Sequence, residues 1–220
     1  MGTKKIITAA ALLVIVGAWS YLFIAVYGLP LREDTRAQQA LGHKAAEEAA
    51  KLGGAGARFT LITRDTAFYK NPALDAQMKA FHETLTRGGS KVALVHRIKL
   101  DPLRTTAVPP GDFLQILKRG SDTDVVVSFL GPPTLTDEQV ASLGAKLPKV
   151  LAVCSGDMPK QLNLKRMFEQ RLLQVAIVSK ESATRTAPGV EPPQGWFDFL
   201  YTIVTPANLA ELPAQTNARP

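Results

Sequence analysis

Asp124-Val125-Val126-Val127-Ser128-Phe129-Leu130-Gly131 and Lys149-Val150-Leu151-Ala152-Val153-Cys154 are the two runs that decide the fold. Each is short, β-branched and apolar without alternation. A strand with that pattern is buried on both faces, as in a parallel sheet covered by helices on each side. Between them, Thr136 to Leu147 has helical character, and Thr136 with Gln139 fits a reciprocal N-terminal capping box. Strand, helix, strand over this length is the crossover unit that parallel pairing requires.

Working outward, the same alternation continues in both directions. Strands are expected at Phe59–Thr63, Lys91–Leu100, Asp124–Leu130, Lys149–Val153 and Leu172–Val178. Helices are expected at Pro72–Arg87, Pro110–Arg119, Thr136–Leu147 and Pro159–Gln170. Gly88-Gly89 ends the first of these as a left-handed stop. Four strand–helix units and a further strand imply an α/β, three-layer, doubly wound, mostly parallel sheet, with the flavodoxin-like order 2-1-3-4-5 as the favoured topology. Beyond Ser179 the regularity fails: Glu181–Gly195 is a proline-rich loop, Phe199–Val204 a sixth strand, and 206–220 a tail. The aromatic cluster from Trp196 to Tyr201 closes the core or docks a partner.

The stretch from Asp124 to Cys154, with its apolar strand, helix and Leu-Pro-Lys-Val-Leu-Ala-Val phrase, resembles one lobe of the type I periplasmic sugar-binding proteins. The likeness covers about 120 residues from the first strand onward. Those proteins close two lobes on a ligand, whereas this chain has room for one lobe. The resemblance implies a small sugar-type ligand and assigns no binding residue.

At the other end of the chain, Ile6 to Tyr27 holds no charged residue. About 22 helical residues reach roughly 33 Å, the thickness of a bilayer core. Lys4 and Lys5 precede the run, and Trp19, Tyr21 and Tyr27 lie in its second half. The pattern reads as an uncleaved single-pass anchor with a cytoplasmic N-terminus and a periplasmic or otherwise extracytoplasmic C-terminal domain. A cleaved signal peptide and a buried soluble helix are the competing readings. The expected organisation is therefore anchor 1–30, stalk 31–57, domain 58–205 and tail. The stalk is alanine-rich and polar, either a helical spacer on the membrane or a helix packing weakly on the domain.

Composition excludes disorder: 46% of the 220 residues are hydrophobic and 20% charged. A single cysteine, Cys154, excludes an internal disulfide and a multi-cysteine zinc site. His43, His82 and His96 are not at metal-ligand spacing, and His82 is placed on a helix's apolar face. Gly53, Gly54 and Gly56 precede a strand instead of following one, which is the wrong order for a phosphate loop. Cys154 reads as an inert buried thiol; a nucleophile would need a lowered pKa. No Gly-x-Ser-x-Gly or His-Glu-x-x-His occurs, and no cofactor, metal or nucleic acid is implied.

Ligands of doubly wound folds sit at the carboxyl ends of the strands. Arg64, Asp65, Ser155, Gly156, Asp157 and Lys180 occupy those ends here. Ser155-Gly156 before a helix, completed by Arg64 or Lys180, would suit an anion; alternatively Ser155 and Asp157 are helix caps and Arg64-Asp65 is solvated. The basic helix carrying Lys160, Lys165, Arg166 and Arg171 is a solvated face or meets an acidic partner or lipid. The favoured function is a membrane-anchored, non-enzymatic recognition or scaffold domain, accessory to a membrane assembly and with a protein partner. The alternatives are a sensor of a small anionic or sugar ligand, and a hydrolase-like enzyme using Asp65 or Asp157.

Overall fold

A computed structural model describes residues 2–27, 34–100, 107–180 and 193–209; within the first helix, side chains are described at position 2 and from 12 to 23. The chain divides into two compact units, Met1–Asp34 and Thr35–Pro220.

The first unit is one helix, α1 (Gly2–Tyr27). Every described side chain from Leu12 to Phe23 is exposed within it. Among the described residues no helix is long and apolar enough to cross a membrane. The expected span Ile6–Tyr27 includes residues 6–11 and 24–27, whose side chains lie outside the described set.

The second unit runs α2 (Arg36–Gly53), β1 (Phe59–Arg64), α3 (Pro72–Arg87), β2 (Val92–Ile98), α4 (Pro110–Arg119), β3 (Val125–Ser128), α5 (Asp137–Ala141), β4 (Lys149–Cys154), α6 (Met158–Gln161), α7 (Leu164–Glu169), β5 (Val175–Ser179), α8 (Pro193–Leu200) and β6 (Tyr201–Val204). The six strands form one sheet in the order β2-β1-β3-β4-β5-β6. The first five are parallel and β6 is antiparallel to β5, with Ile177 opposite Ile203. The flavodoxin-like order expected for the first five strands is the order observed.

Successive residues of the central strands face opposite sides, so each strand feeds two cores. Ile62, Val126, Val150, Ala152, Ala176 and Val178 join Phe113, Leu117, Leu164 and Phe168 on one face. Phe59, Leu61, Val125, Val127, Leu151, Val153 and Ile177 join Phe81, Leu85 and the alanines of α2 on the other. The layers are thus α2, α3 and α8; the sheet; and α4 with α7.

Helix α2 departs from the expected stalk. Ala40, Leu41, Ala45, Ala46 and Ala49 are buried in the second core. Their small side chains give little sequence signal but let the helix lie close to its neighbours. At Gly42 an added Cβ would lie 2.2 Å from the main-chain oxygen of Gln77 in α3. His43 shares a hydrogen bond with Thr84 across the same contact, so it is a packing histidine. His82, expected on an apolar face, is exposed.

Three further boundaries differ. The helix expected from Thr136 to Leu147 ends at Ala141, although its capping box forms, with Gln139 N–H donating to Thr136 Oγ1 at 3.2 Å. The helix expected over Pro159–Gln170 is two short ones, because Asn163 caps a new start by accepting the Arg166 N–H at 3.0 Å. Phe199 and Leu200, expected in a strand, close helix α8, and Trp196 and Phe197 are buried in the core. Most of the expected Glu181–Gly195 loop and the tail from 210 lie outside the described residues.

The amino end of the sheet is pinned by polar contacts. Arg58 Nε and Nη2 donate to Asp124 Oδ1 and Oδ2 at 2.9 and 2.7 Å, and Ser121 N–H donates to the same carboxylate. The Arg58 hydrogen bond holds the Asp124 carboxyl below its ordinary pKa. A lowered carboxylate pKa contributes stability at neutral pH that fades as pH falls through it. Lys149 Nζ donates to Leu52 O at 2.7 Å, tying the end of α2 to β4.

If the Gly42 contact sets the height of α2, Gly42→Ala lowers stability by about 1–3 kcal/mol through overpacking. Gly111→Ala, inside α4 with nothing within 4 Å of its Cβ, raises it by about 0.5–1 kcal/mol. Chemical denaturation of both variants measures this; equal effects would contradict the close α2–α3 contact.

Candidate functional site

The carboxyl ends of β3 and β4 form a cleft of about 820 Å³. Three segments build it: Ala107–Pro110 leading into α4, Pro133-Thr134 after β3, and Ser155–Met158 after β4, with Gln161 and Leu162. A second hollow of about 560 Å³ shares Pro133, Thr134, Gln161 and Leu162 and runs on along α7. Together they make a groove beside the 131–135 turn.

The turn is fixed from below. Ser128 is fully buried, and its hydroxyl donates to Gly131 O at 2.7 Å and accepts from Leu130 N–H. Gly131 takes φ +70°, a conformation that glycine reaches without a Cβ penalty. A Cβ there would lie 2.0 Å from Met158 Sδ, so glycine lets Met158 pack beneath the groove. The prolines at 109, 110 and 133 line the walls with fixed backbone that donates no hydrogen bond.

Three of the six expected site residues line this cleft: Ser155, Gly156 and Asp157. Gly156 takes φ +62° and its N–H donates to Ser179 Oγ at 3.1 Å, linking the ends of β4 and β5. Asp157 stands at the N-cap of α6 without a side-chain capping bond; its carboxylate is exposed, 3.6 Å from Lys160 Nζ. The capping role expected of Asp157 is therefore not seen.

The other three are placed elsewhere. Asp65 Oδ1 accepts from Ala67 N–H at 3.0 Å, and its own N–H donates to Ile98 O, so it shapes the turn after β1. Arg64 ends β1 and does not line the cleft. Lys180 Nζ donates to Asp198 O and its N–H to Leu200 O, tying the end of β5 to α8. Among the described residues the cleft's one charged lining residue is thus acidic, and Arg64 and Lys180, expected to complete an anion site, lie outside it.

The chemistry available is limited in kind. Hydroxyls come from Ser155 and Thr134, an amide from Gln161, a carboxylate from Asp157, and apolar surface from Val108, Met158 and Leu162. Among the described residues no group of three or more His, Cys, Asp or Glu could hold a metal ion. Cys154, one residue before the cleft, is buried, and desolvation pushes its thiol up to about 12. Pro133 falls at the Gly131-Pro132-Pro133 end of the third strand, one of the strand ends the sequence offers, whereas Thr134 and the Val108–Pro110 wall were missed, although paired prolines before one helix were visible there.

No family model matches the chain, and no curated protein matches it. Among solved structures, a carbohydrate transporter solute-binding protein from Agrobacterium radiobacter, in complex with D-arabinose, aligns at 13% identity and a TM-score of 0.42. The alignment covers 81% of this chain and 61% of that one. A protein from Mycobacterium smegmatis aligns at 13% identity and a TM-score of 0.40, covering 66% of this chain and 47% of that one. The chain spans about half to three-fifths of the length of these neighbours.

A thiol with a pKa of about 12 is thiolate at only ~10⁻⁴ of the population near pH 8. Iodoacetamide should therefore alkylate Cys154 in the folded chain at least a hundredfold more slowly than in denaturant. Comparable rates would show an accessible, ionised cysteine beside the cleft.

Proposed function

We propose that this chain is a membrane-anchored, extracytoplasmic recognition domain that binds a small, neutral, hydroxyl-bearing ligand in the groove at the carboxyl ends of β3 and β4. The observation that carries the ligand class is the lining itself. In the cleft of about 820 Å³ the described lining residues give two hydroxyls, an amide and one carboxylate among proline and apolar walls, with no cation; Arg166, which lines the adjoining hollow, is held by Asp137. A carboxylate and an amide can each bridge adjacent ligand hydroxyls, and apolar walls suit the ring faces of a sugar. An anion would meet the exposed Asp157 carboxylate, whose Lys160 partner stands 3.6 Å away and outside the described lining.

The anchor is supported by the charge-free run Ile6–Tyr27 within a 26-residue helix and by Lys4 and Lys5 before it. That flank favours a cytoplasmic N-terminus and a translocated domain. A hydrolase-like reading gains little: Asp65 is engaged in its turn, and among the described lining residues Asp157 has no second acid or base beside it.

Thermal unfolding of the full chain in uncharged detergent tests the ligand class. A ligand at about 100 times its dissociation constant adds roughly 2.7 kcal/mol, a rise on the order of 5–10 °C at this size. A monosaccharide should raise the midpoint, and Asp157→Ala should abolish the rise without lowering the unliganded midpoint. A response to oxyanions with none to sugars would overturn the assignment.

A further inference from the structure

The groove continues past the cleft at the strand ends. Its second part is the hollow of about 560 Å³, whose described lining comes from residues 133–135 and 161–172. Pro133, Thr134, Gln161 and Leu162 line both parts, so the two run together. Each volume by itself is of the size that small-molecule pockets have, roughly 300–1,000 Å³.

The junction comes from the break between α6 and α7. Leu162 is extended, at φ −103° and ψ 134°, and buries its side chain in the core. Asn163 restarts the helix by accepting the Arg166 N–H at 3.0 Å. Gln161 is left at the corner, on the wall that both parts share. Along α7, Asn163, Arg166 and Gln170 stand at i, i+3 and i+7, on one stripe that lines the hollow. Leu164 and Phe168, on the other side of the helix, enter the core. Leu135, Met167 and Leu172 give the hollow its apolar surface.

Arg166 is held by Asp137, so the uncommitted polar groups on this stripe are amides. The side chains of Gln161 and Gln170 make no hydrogen bond among the described residues. Each amide can donate to one hydroxyl and accept from another. Amides around an apolar surface repeat the chemistry of the first part of the groove. A single sugar ring held beside Asp157 leaves the hollow to water, whereas a linked second ring covers its apolar surface and meets its amides.

We infer that the groove takes a neutral oligosaccharide, one ring in the β3–β4 cleft and the next in the hollow along α7, where Gln161 and Gln170 bind it. The inference rests on the reading of the groove as a sugar site and names the length of the sugar.

Calorimetric titration of the full chain in a polyoxyethylene detergent, which carries no sugar, tests this. The probes are the methyl glycosides of D-glucose, D-galactose and D-mannose and the disaccharides maltose, cellobiose, lactose and mannobiose. The tightest disaccharide should bind at least about tenfold more tightly than the methyl glycoside of its non-reducing unit. Gln170→Ala should remove most of that gain, leave the methyl glycoside affinity within about twofold and keep the melting midpoint. Gln161→Ala, on the shared wall, should weaken both classes. Disaccharides no tighter than their methyl glycosides, or a Gln170→Ala variant that weakens both classes equally or neither, overturn the two-ring assignment while the sugar groove stands. Binding by neither class overturns the groove reading, and this inference with it.

Discussion

A parallel sheet with apolar side chains on both faces is stable only if both faces are covered, and the rest of this domain follows from how the second face is closed. Phe59, Leu61, Val125, Val127 and Leu151 would meet water without a helix over them. Helix α2 provides that cover with alanines, and Gly42 brings it against α3 at main-chain distance. Small residues win here because the sheet already supplies the bulky side chains. A larger residue on α2 would lift the helix and open the voids that close packing excludes. The chain from Thr35 onward is therefore one folded unit that begins with a core element.

The two ends of the sheet are built differently. At the amino end, Arg58–Asp124 and Lys149–Leu52 fasten strands to each other and to α2. At the carboxyl end the polar groups mostly shape turns: Ser128 holds Gly131, Asp65 holds Ala67, and Gly156 reaches Ser179. Rigid turns and proline walls leave Ser155, Thr134, Gln161 and Asp157 lining an open groove. The division matches the general placement of ligand sites in open α/β sheets, where the strand order is set at one end and chemistry is free to vary at the other.

The strands were legible in the sequence because Val125–Val127 and Val150–Val153 are continuous apolar runs that no other common structure accommodates as well. Helices α3 and α4 were legible to the residue, from proline at the start and glycine just after the end. Helix α2 was legible as a helix but not as core, since alanine and glycine carry almost no hydropathy signal. Helix α8 was not legible, because Trp196–Tyr201, with four aromatics in six residues, shows neither period; its Pro193–Gly195 falls in the expected loop and its Phe199 and Leu200 in the expected strand. In the groove, Ser155–Asp157 could be located from the position of strand ends alone. The displacement of Arg64 and Lys180 could not, because it depends on where side chains point once α8 and the turn after β1 are in place.

Native-state hydrogen exchange of the full chain tests the central claim that α2 is a structural layer of the sheet domain. If it is, the amides of Ala45, Ala46 and Ala49 exchange with an opening free energy equal to that of Val126 and Leu151, because they are released only when the sheet unfolds. Exchange of those α2 amides by small local openings, while the strands stay protected, would show a peripheral helix and contradict the account.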